Sequence, residues 1–311
     1  MSVENKSMKN EIKLVLGMSV FGLLAFLFAT VALIIFPAWF IAYSVENGII
    51  KALATMFASS LIIGLVLGLQ IGLLLFTFFA PLVLVFHYII TNNKSYTMLL
   101  LSGTIVLIVG LITIIGIDTI KEFANNTQNF VNEMVKTQLE IIGTENLTKL
   151  ELNRLRETLN NAMNLSLQIL PGMSLILAMI VVYLNSLLAG RMLLKKSIVI
   201  LQPPPFSLIK LPSNIVFGAI VTILAAYIAK PILEDSLNPI ILNLILVFGA
   251  LFFLQGMAVL NFYLLKFKVP RFFRYLIYII VIGYSKAAMV ISILGILDCV
   301  FNFRRIIYVK R

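Results

Sequence analysis

The chain alternates long apolar runs with short polar breaks, and the lengths of those runs set the element count. A helix that crosses a bilayer needs about 20 consecutive apolar residues. The runs 96–117, 169–188, 215–229 and 239–265 each read as one such helix. The run 49–90 is roughly two bilayer crossings long and must turn once. Its centre, GLVLGLQIG, places Gly64, Gly68 and Gly72 at intervals of four, with Gln70 among them. Glycine weakens a helix interior by about 1 kcal/mol relative to alanine, so this stretch predicts a hairpin turning between Gly68 and Gly72. The same spacing also fits a small-residue face on which helices pack closely.

The end runs 14–43 and 272–301 are too long for one upright span and short for two. Pro37 divides the first, and GYSKA divides the second. Lys286, in GYSKA, would cost at least ~2.5 kcal/mol at the bilayer centre, which favours a turn there. Each end run is expected to form a short hairpin or one tilted, broken helix.

Residues 118–166 interrupt the apolar pattern. Ile120, Phe123, Phe130, Met134 and Ile141 recur at helical spacing and predict one amphipathic helix, with Asp118 as its cap and Gly143 as its end. TKLE, from Thr148 to Glu151, is a capping-box signature that starts a second helix. Its stripe is Leu152, Leu155, Leu159 and Met163. The predicted organisation is N-terminal membrane helices at 1–117, an extramembrane helical insert at 118–166, and C-terminal membrane helices at 167–311. The fold class is all-α: a polytopic transmembrane helical bundle of about eight to ten membrane segments with an amphipathic helical hairpin outside the membrane.

Composition agrees. The chain is 61% hydrophobic and 12% charged, against about 45–50% apolar and about 25% charged in soluble domains. A net charge of +11 reads here as topology-setting loop anchors, so no nucleic-acid partner is expected and the bilayer is. One cysteine, Cys299, and one histidine, His87, offer neither a disulfide nor a metal cluster. The apolar run behind MSVENKSMKNEIK is too long for a cleavable signal and reads as a first span.

Basic clusters orient the chain. Arg191, Lys195, Lys196 and Lys210 lie in one acid-free loop, and Lys266, Lys268, Arg271 and Arg274 in another. The tail carries Arg304, Arg305, Lys310 and Arg311, whereas the loop at Glu234 and Asp235 is acidic, with Lys230 on its flank. The positive-inside rule places the first three in the cytoplasm. Both termini are then expected inside a cytoplasmic membrane, with 118–166 outside.

Polar groups within apolar runs are the default functional candidates. They are Asn185, Gln255, Asn261, Lys286 and Asp298, and three of them have a structural alternative: interhelical hydrogen bonding for Gln255 and Asn261, and an ion pair with Arg304 or Arg305 for Asp298. His87 reads as a residue of the membrane boundary. Gly64 and Gly68, and the Ala25/Ala29 pair in the stripe Ser19, Gly22, Ala25, Ala29, Ala32, are candidates for helix packing or partner docking. QPPPFSLIKLP breaks any helix. It reads as an interfacial elbow, with Phe206, Leu208, Ile209 and Leu211 against the bilayer, or as a docking site for a cytoplasmic partner. No paired-acid metal motif, P-loop, HExxH or GxSxG is present, so neither an enzymatic activity nor a cofactor is expected.

FPAWFIAYSVENG, the polar insert, ILPGMSL, PPPFSLIKLP and LGILDCVFNFRR, in this order, resemble the YybS-like family of predicted bacterial membrane proteins. The resemblance spans nearly the whole chain and is most specific at PPF…LP and the final LD…F-x-FR. That family carries an aspartate just before the closing FR, where this chain has Asn302. More distantly it is similar to the substrate-binding membrane subunits of energy-coupling-factor transporters, which dock a transmembrane coupling subunit through AxxxA stripes. The resemblance implies a transporter, or the substrate-binding subunit of one, for a small solute, with transmembrane or ATPase coupling subunits as partners. The alternative is a non-transporting scaffold or assembly factor that uses the insert and the basic loops.

Overall fold

The computed structural model describes residues 2–143, 148–198, 204–233 and 237–304, with side chains described throughout except at 2–7, 117–125, 230–233 and 237. Pro203, Glu234, Asp235, Arg305, Lys310 and Arg311 lie outside the described residues, as do the side chains of Asp118, Ile120, Phe123 and Lys230. The described chain is helical, in the order α1 (Ser2–Phe28), a 3-10 helix (Thr30–Ile35), α2 (Pro37–Asn47), α3 (Ile49–Leu67), α4 (Leu69–Thr91), α5 (Tyr96–Ile115), α6 (Ile117–Ile142), α7 (Lys149–Leu194), a 3-10 turn (Phe206–Leu208), α8 (Ile215–Leu233), α9 (Leu237–Lys266), α10 (Arg271–Gly283) and α11 (Ser285–Phe301).

Seven of these segments are long and apolar enough to cross a membrane, and α10 with α11 makes an eighth if that bent pair is one span. The chain is a polytopic helical membrane protein. Its surface agrees: Phe28, Ile50, Phe217 and Ile279 are each more than 70% exposed, an arrangement that lipid tolerates and water does not. Within α8 only Ile215–Ala229 is strongly apolar, which is short for a full crossing.

The chain divides into two compact units. One comprises Met1–Asn125 with Leu177–Pro203, the other Asn126–Ile176 with Pro204–Arg311.

In the first unit, α3 and α4 form the predicted hairpin. The chain turns at Gly68, whose φ of +118° lies where side chains are disfavoured. The packing-face reading holds at the same place. A Cβ on Gly72 would strike the Ser60 carbonyl and lie 2.8 Å from the Gly64 Cα. Turn and close approach are one device: Gly68 reverses the chain, and Gly64 and Gly72 let the two arms touch. Phe57 and Phe76 stack edge-on farther along the hairpin, at 5.2 Å.

The first end run breaks before the proline. α1 stops at Phe28, the chain continues as the 3-10 helix, and Pro37 opens α2 at its first position, where its missing N–H costs nothing. Ser19 and Gly22 face α3: the Ser19 hydroxyl lies 3.4 Å from the Ser59 carbonyl, and a Cβ on Gly22 would strike Ile63. Ala25 is buried with them, but Ala29 lies beyond the helix end and is exposed.

In the second unit, α6 packs on the start of α7. The buried face of α6 is Val131, Val135 and Leu139, against Leu152, Leu155, Leu159, Met163 and Leu167. The stripe expected on α7 is therefore the one used. The stripe expected on α6 is not, since Phe130, Met134 and Ile141 are 39%, 39% and 73% exposed. The helix is turned by roughly 100°, one residue's rotation. The capping box at Thr148 forms, with Glu151 accepting from the Thr148 hydroxyl at 2.7 Å and from its N–H at 2.9 Å.

α7 runs unbroken for 46 residues, roughly 70 Å. At ILPGMSL its backbone is bonded from outside. Asn243 of α9 accepts from the Gly172 N–H at 2.6 Å and donates to the Gln168 carbonyl at 2.6 Å. Those are the two backbone groups that an undistorted helix pairs with each other. Pro171 already removes the neighbouring donor, and Gly172 leaves room, since a Cβ there would sit 2.6 Å from the Asn243 Oδ1.

The second end run bends by 103° between α10 and α11. The run is broken at GYSKA, as expected, and the break is a sharp elbow.

Candidate functional site

α9 and α11 meet backbone to backbone. A Cβ on Gly256 would strike the Ile291 carbonyl, and one on Gly295 would strike the Phe252 carbonyl and lie 2.8 Å from the Gly256 nitrogen. Only glycines allow this approach. It brings the residue before one glycine, Gln255, to the residue three after the other, Asp298.

Asp298 is fully buried. Its Oδ2 accepts from Gln255 Nε2 at 2.7 Å and from Arg304 Nη2 and Nε at 2.9 and 3.2 Å. The chain ends α11 at Asn302, whose left-handed conformation (φ 49°, ψ 55°) turns it sharply, and the Asn302 N–H closes on the Asp298 carbonyl at 2.9 Å. Asparagine tolerates this conformation better than most residues, and the turn carries Arg304 back over Asp298. Asn302 thus acts as a helix stop.

Arg304 then reaches the proline-rich elbow. Its Nη1 donates to the Ser207 carbonyl at 2.6 Å and its Nη2 to the Ile209 carbonyl at 2.7 Å. Gln255 Oε1 accepts from the Leu211 N–H at 3.0 Å. Prolines and a single 3-10 turn leave the elbow's backbone groups without helix partners, and the buried pair supplies them. The elbow consequently does not lie free on the bilayer as expected. Phe206 packs beside Met257 and Ile291, and Leu211 beside Phe252 and Cys299, while Leu208 stays exposed at 42%.

Both side chains of the ion pair are 0% exposed. Removing two charges from water is costly, and only good geometry with further hydrogen bonds offsets it. Arg304 meets that condition. Asp298 meets it at one oxygen only, since Oδ1 has no partner among the described residues.

A sequence model of a family described as "Predicted membrane protein (DUF2232)" matches residues 12–299. The chain belongs to the DUF2232 family. Neither the curated proteins nor the solved structures contain a match. The DUF2232 match takes in Gln255 and Asp298, and Arg304 follows five residues after its end.

The other polar candidates of this DUF2232 protein sit elsewhere. Asn261 accepts from the Tyr278 hydroxyl at 2.7 Å, which ties α9 to α10. Lys286 is exposed in the first turn of α11, at the elbow. Asn185 belongs to the first unit and is fully buried. Its Nδ2 donates at 2.8 Å to the Ile34 carbonyl and to the Val181 carbonyl, satisfying backbone exposed where the 3-10 helix interrupts the first end run. His87 is half-buried, and its Nδ1 has no partner among the described residues.

Sequence reading named Asp298, Arg304 and Gln255 but did not join Gln255 to the pair. It missed Gly256, Gly295, Gly172 and Asn243. The first two had a visible signal in small residues beside polar ones, LQGMA and LGILD. For Asn243 the only signal was a polar residue in an apolar helix, with nothing to say that it answered Pro171.

Proposed function

We propose that this DUF2232 protein is a transporter of the cytoplasmic membrane, or the solute-binding membrane subunit of one, for a small solute. The observation that carries the reading is that each unit contains both a discontinuous apolar segment and buried, hydrogen-bonded polar side chains. In the first unit the break is the 3-10 helix, bonded by Asn185. In the second it is the 103° elbow between α10 and α11, with α11 leading to Asp298 and Arg304. Interrupted helices with polar groups inside lipid recur where membrane proteins bind and pass solutes. Coupling subunits, including an ATPase module, are the partners this reading calls for. No reaction chemistry enters it.

The acid-free clusters at 190–212 and 266–274 support a cytoplasmic position for those loops and for both termini, and an outer position for the α6–α7 hairpin. A second reading, a scaffold that docks a partner on the hairpin, is favoured by apolar side chains left exposed there, Ile141 at 73% and Leu150 at 62%.

Ligand-induced thermal stabilisation of the purified protein, across amino acids, vitamins, nucleobases, sugars and ions, tests the transport reading. A cognate solute at 100 times its Kd should stabilise by about 2.7 kcal/mol, and proteoliposomes should take it up. No stabilisation by any class, together with no co-purifying ATPase module, would contradict transport.

A further inference from the structure

We propose that the turn between α9 and α10 is a binding site for the headgroup of an anionic phospholipid. Lys266, Lys268, Arg271 and Arg274 fall within nine residues that include no acid. None of the four makes an ion pair with any described residue. The turn is held by its own backbone: Lys268 takes a left-handed conformation (φ 53°), and the N–H groups of Phe267, Lys268 and Val269 close on the last carbonyls of α9. Pro270 then caps α10 without offering a side-chain acceptor.

This arrangement is electrostatically unfavourable by itself. Lys266, in the last turn of α9, suits the negative end of that helix. Arg271 and Arg274 lie in the first turns of α10, at its positive end, where acidic groups are stabilising and cations are not. The Arg274 Nε has no acceptor among the described residues. One phosphate at the turn neutralises the cations, the Arg274 guanidinium among them, and meets the free N–H groups that open a helix.

The surroundings point to lipid as the source of that phosphate. Phe267, Phe272, Phe273 and Tyr275 are exposed by 71%, 72%, 54% and 65% around the turn. Exposed phenylalanines suit acyl chains, a tyrosine such as Tyr275 suits headgroup depth, and basic clusters at the ends of membrane helices bind anionic headgroups.

The test uses the full chain in detergent, titrated with phosphatidylglycerol, phosphatidylcholine or inorganic phosphate, with lipid adducts counted by native mass spectrometry and melting followed in parallel. Phosphatidylglycerol should bind and raise the melting temperature, and the other two should not. Lys266→Gln/Lys268→Gln removes two exposed cations, at the loss of one contact of Lys266 over the Tyr263 ring at 5.8 Å, and should weaken phosphatidylglycerol binding by about fivefold per base removed. Arg274→Gln should weaken it by a similar factor, while Lys136→Gln/Lys149→Gln on the outer hairpin should leave it unchanged. Equal binding by wild type and the Lys266/Lys268 variant would overturn the proposal. So would equal stabilisation by phosphatidylcholine, or reproduction of the effect by inorganic phosphate, which would mean a free-anion site.

Discussion

Arg304 ties the end of α11 to the proline-rich elbow. It reaches a carboxylate on α11 and two elbow carbonyls at once, with its side chain excluded from water. Arg304→Ala should destabilise the unit by about 3–5 kcal/mol, because Asp298 is left as a buried charge without a counterion. Asp298→Leu in the same chain removes that charge, so the double variant should regain part of the loss. Equilibrium unfolding in mixed micelles reads both, and a double variant no better than Arg304→Ala would mean that the carbonyl contacts, not the charge pair, hold the elbow. The same residue shows how far sequence reaches at this scale. The Asp298–Arg304 pairing was legible because six residues separate the two and a helix ends between them. The participation of Gln255 was not, because it lies 43 residues from Asp298 and depends on two glycines whose crossing no periodicity announces.

At the scale of elements, breaks were easier to read than faces. The α3–α4 turn was legible because the run was too long for one crossing and because only glycine accepts the backbone found at Gly68. The buried face of α6 was misread, since Phe130/Met134 and Val131/Val135 are two apolar stripes one residue apart, and the choice between them is made by α7. The 103° elbow was legible as an interruption at GYSKA but not as an angle, which depends on packing that no local pattern announces.

The α7 start offers a test by pH. Hydrogen bonds from the Thr148 side chain and then its backbone hold the Glu151 carboxyl below its ordinary value of 4.5. The folded group therefore binds its proton less readily than the unfolded one. The cap's contribution is complete above pH 4.5 and disappears as pH falls through the lower folded value. Hydrogen exchange at the first amides of α7 should quicken across that acidic interval in wild type and be fast and pH-insensitive, beyond intrinsic exchange, in Glu151→Gln. Identical profiles would mean that the capping box carries no weight in solution.

At the scale of the whole molecule, membrane embedding follows from composition and run length, and the DUF2232 match agrees with it. The side proposed for each loop rests on basic residues alone. Impermeant maleimide labelling of single cysteines in intact cells tests it most directly. The native Cys299 is 1% exposed and should stay silent, so Glu140→Cys on the α6–α7 hairpin and Lys195→Cys and Lys268→Cys on the basic loops can be compared in the natural background. The account predicts labelling of Glu140→Cys in intact cells and of the other two only after permeabilisation. Labelling of Lys195→Cys and Lys268→Cys in intact cells, with Glu140→Cys protected, would contradict it.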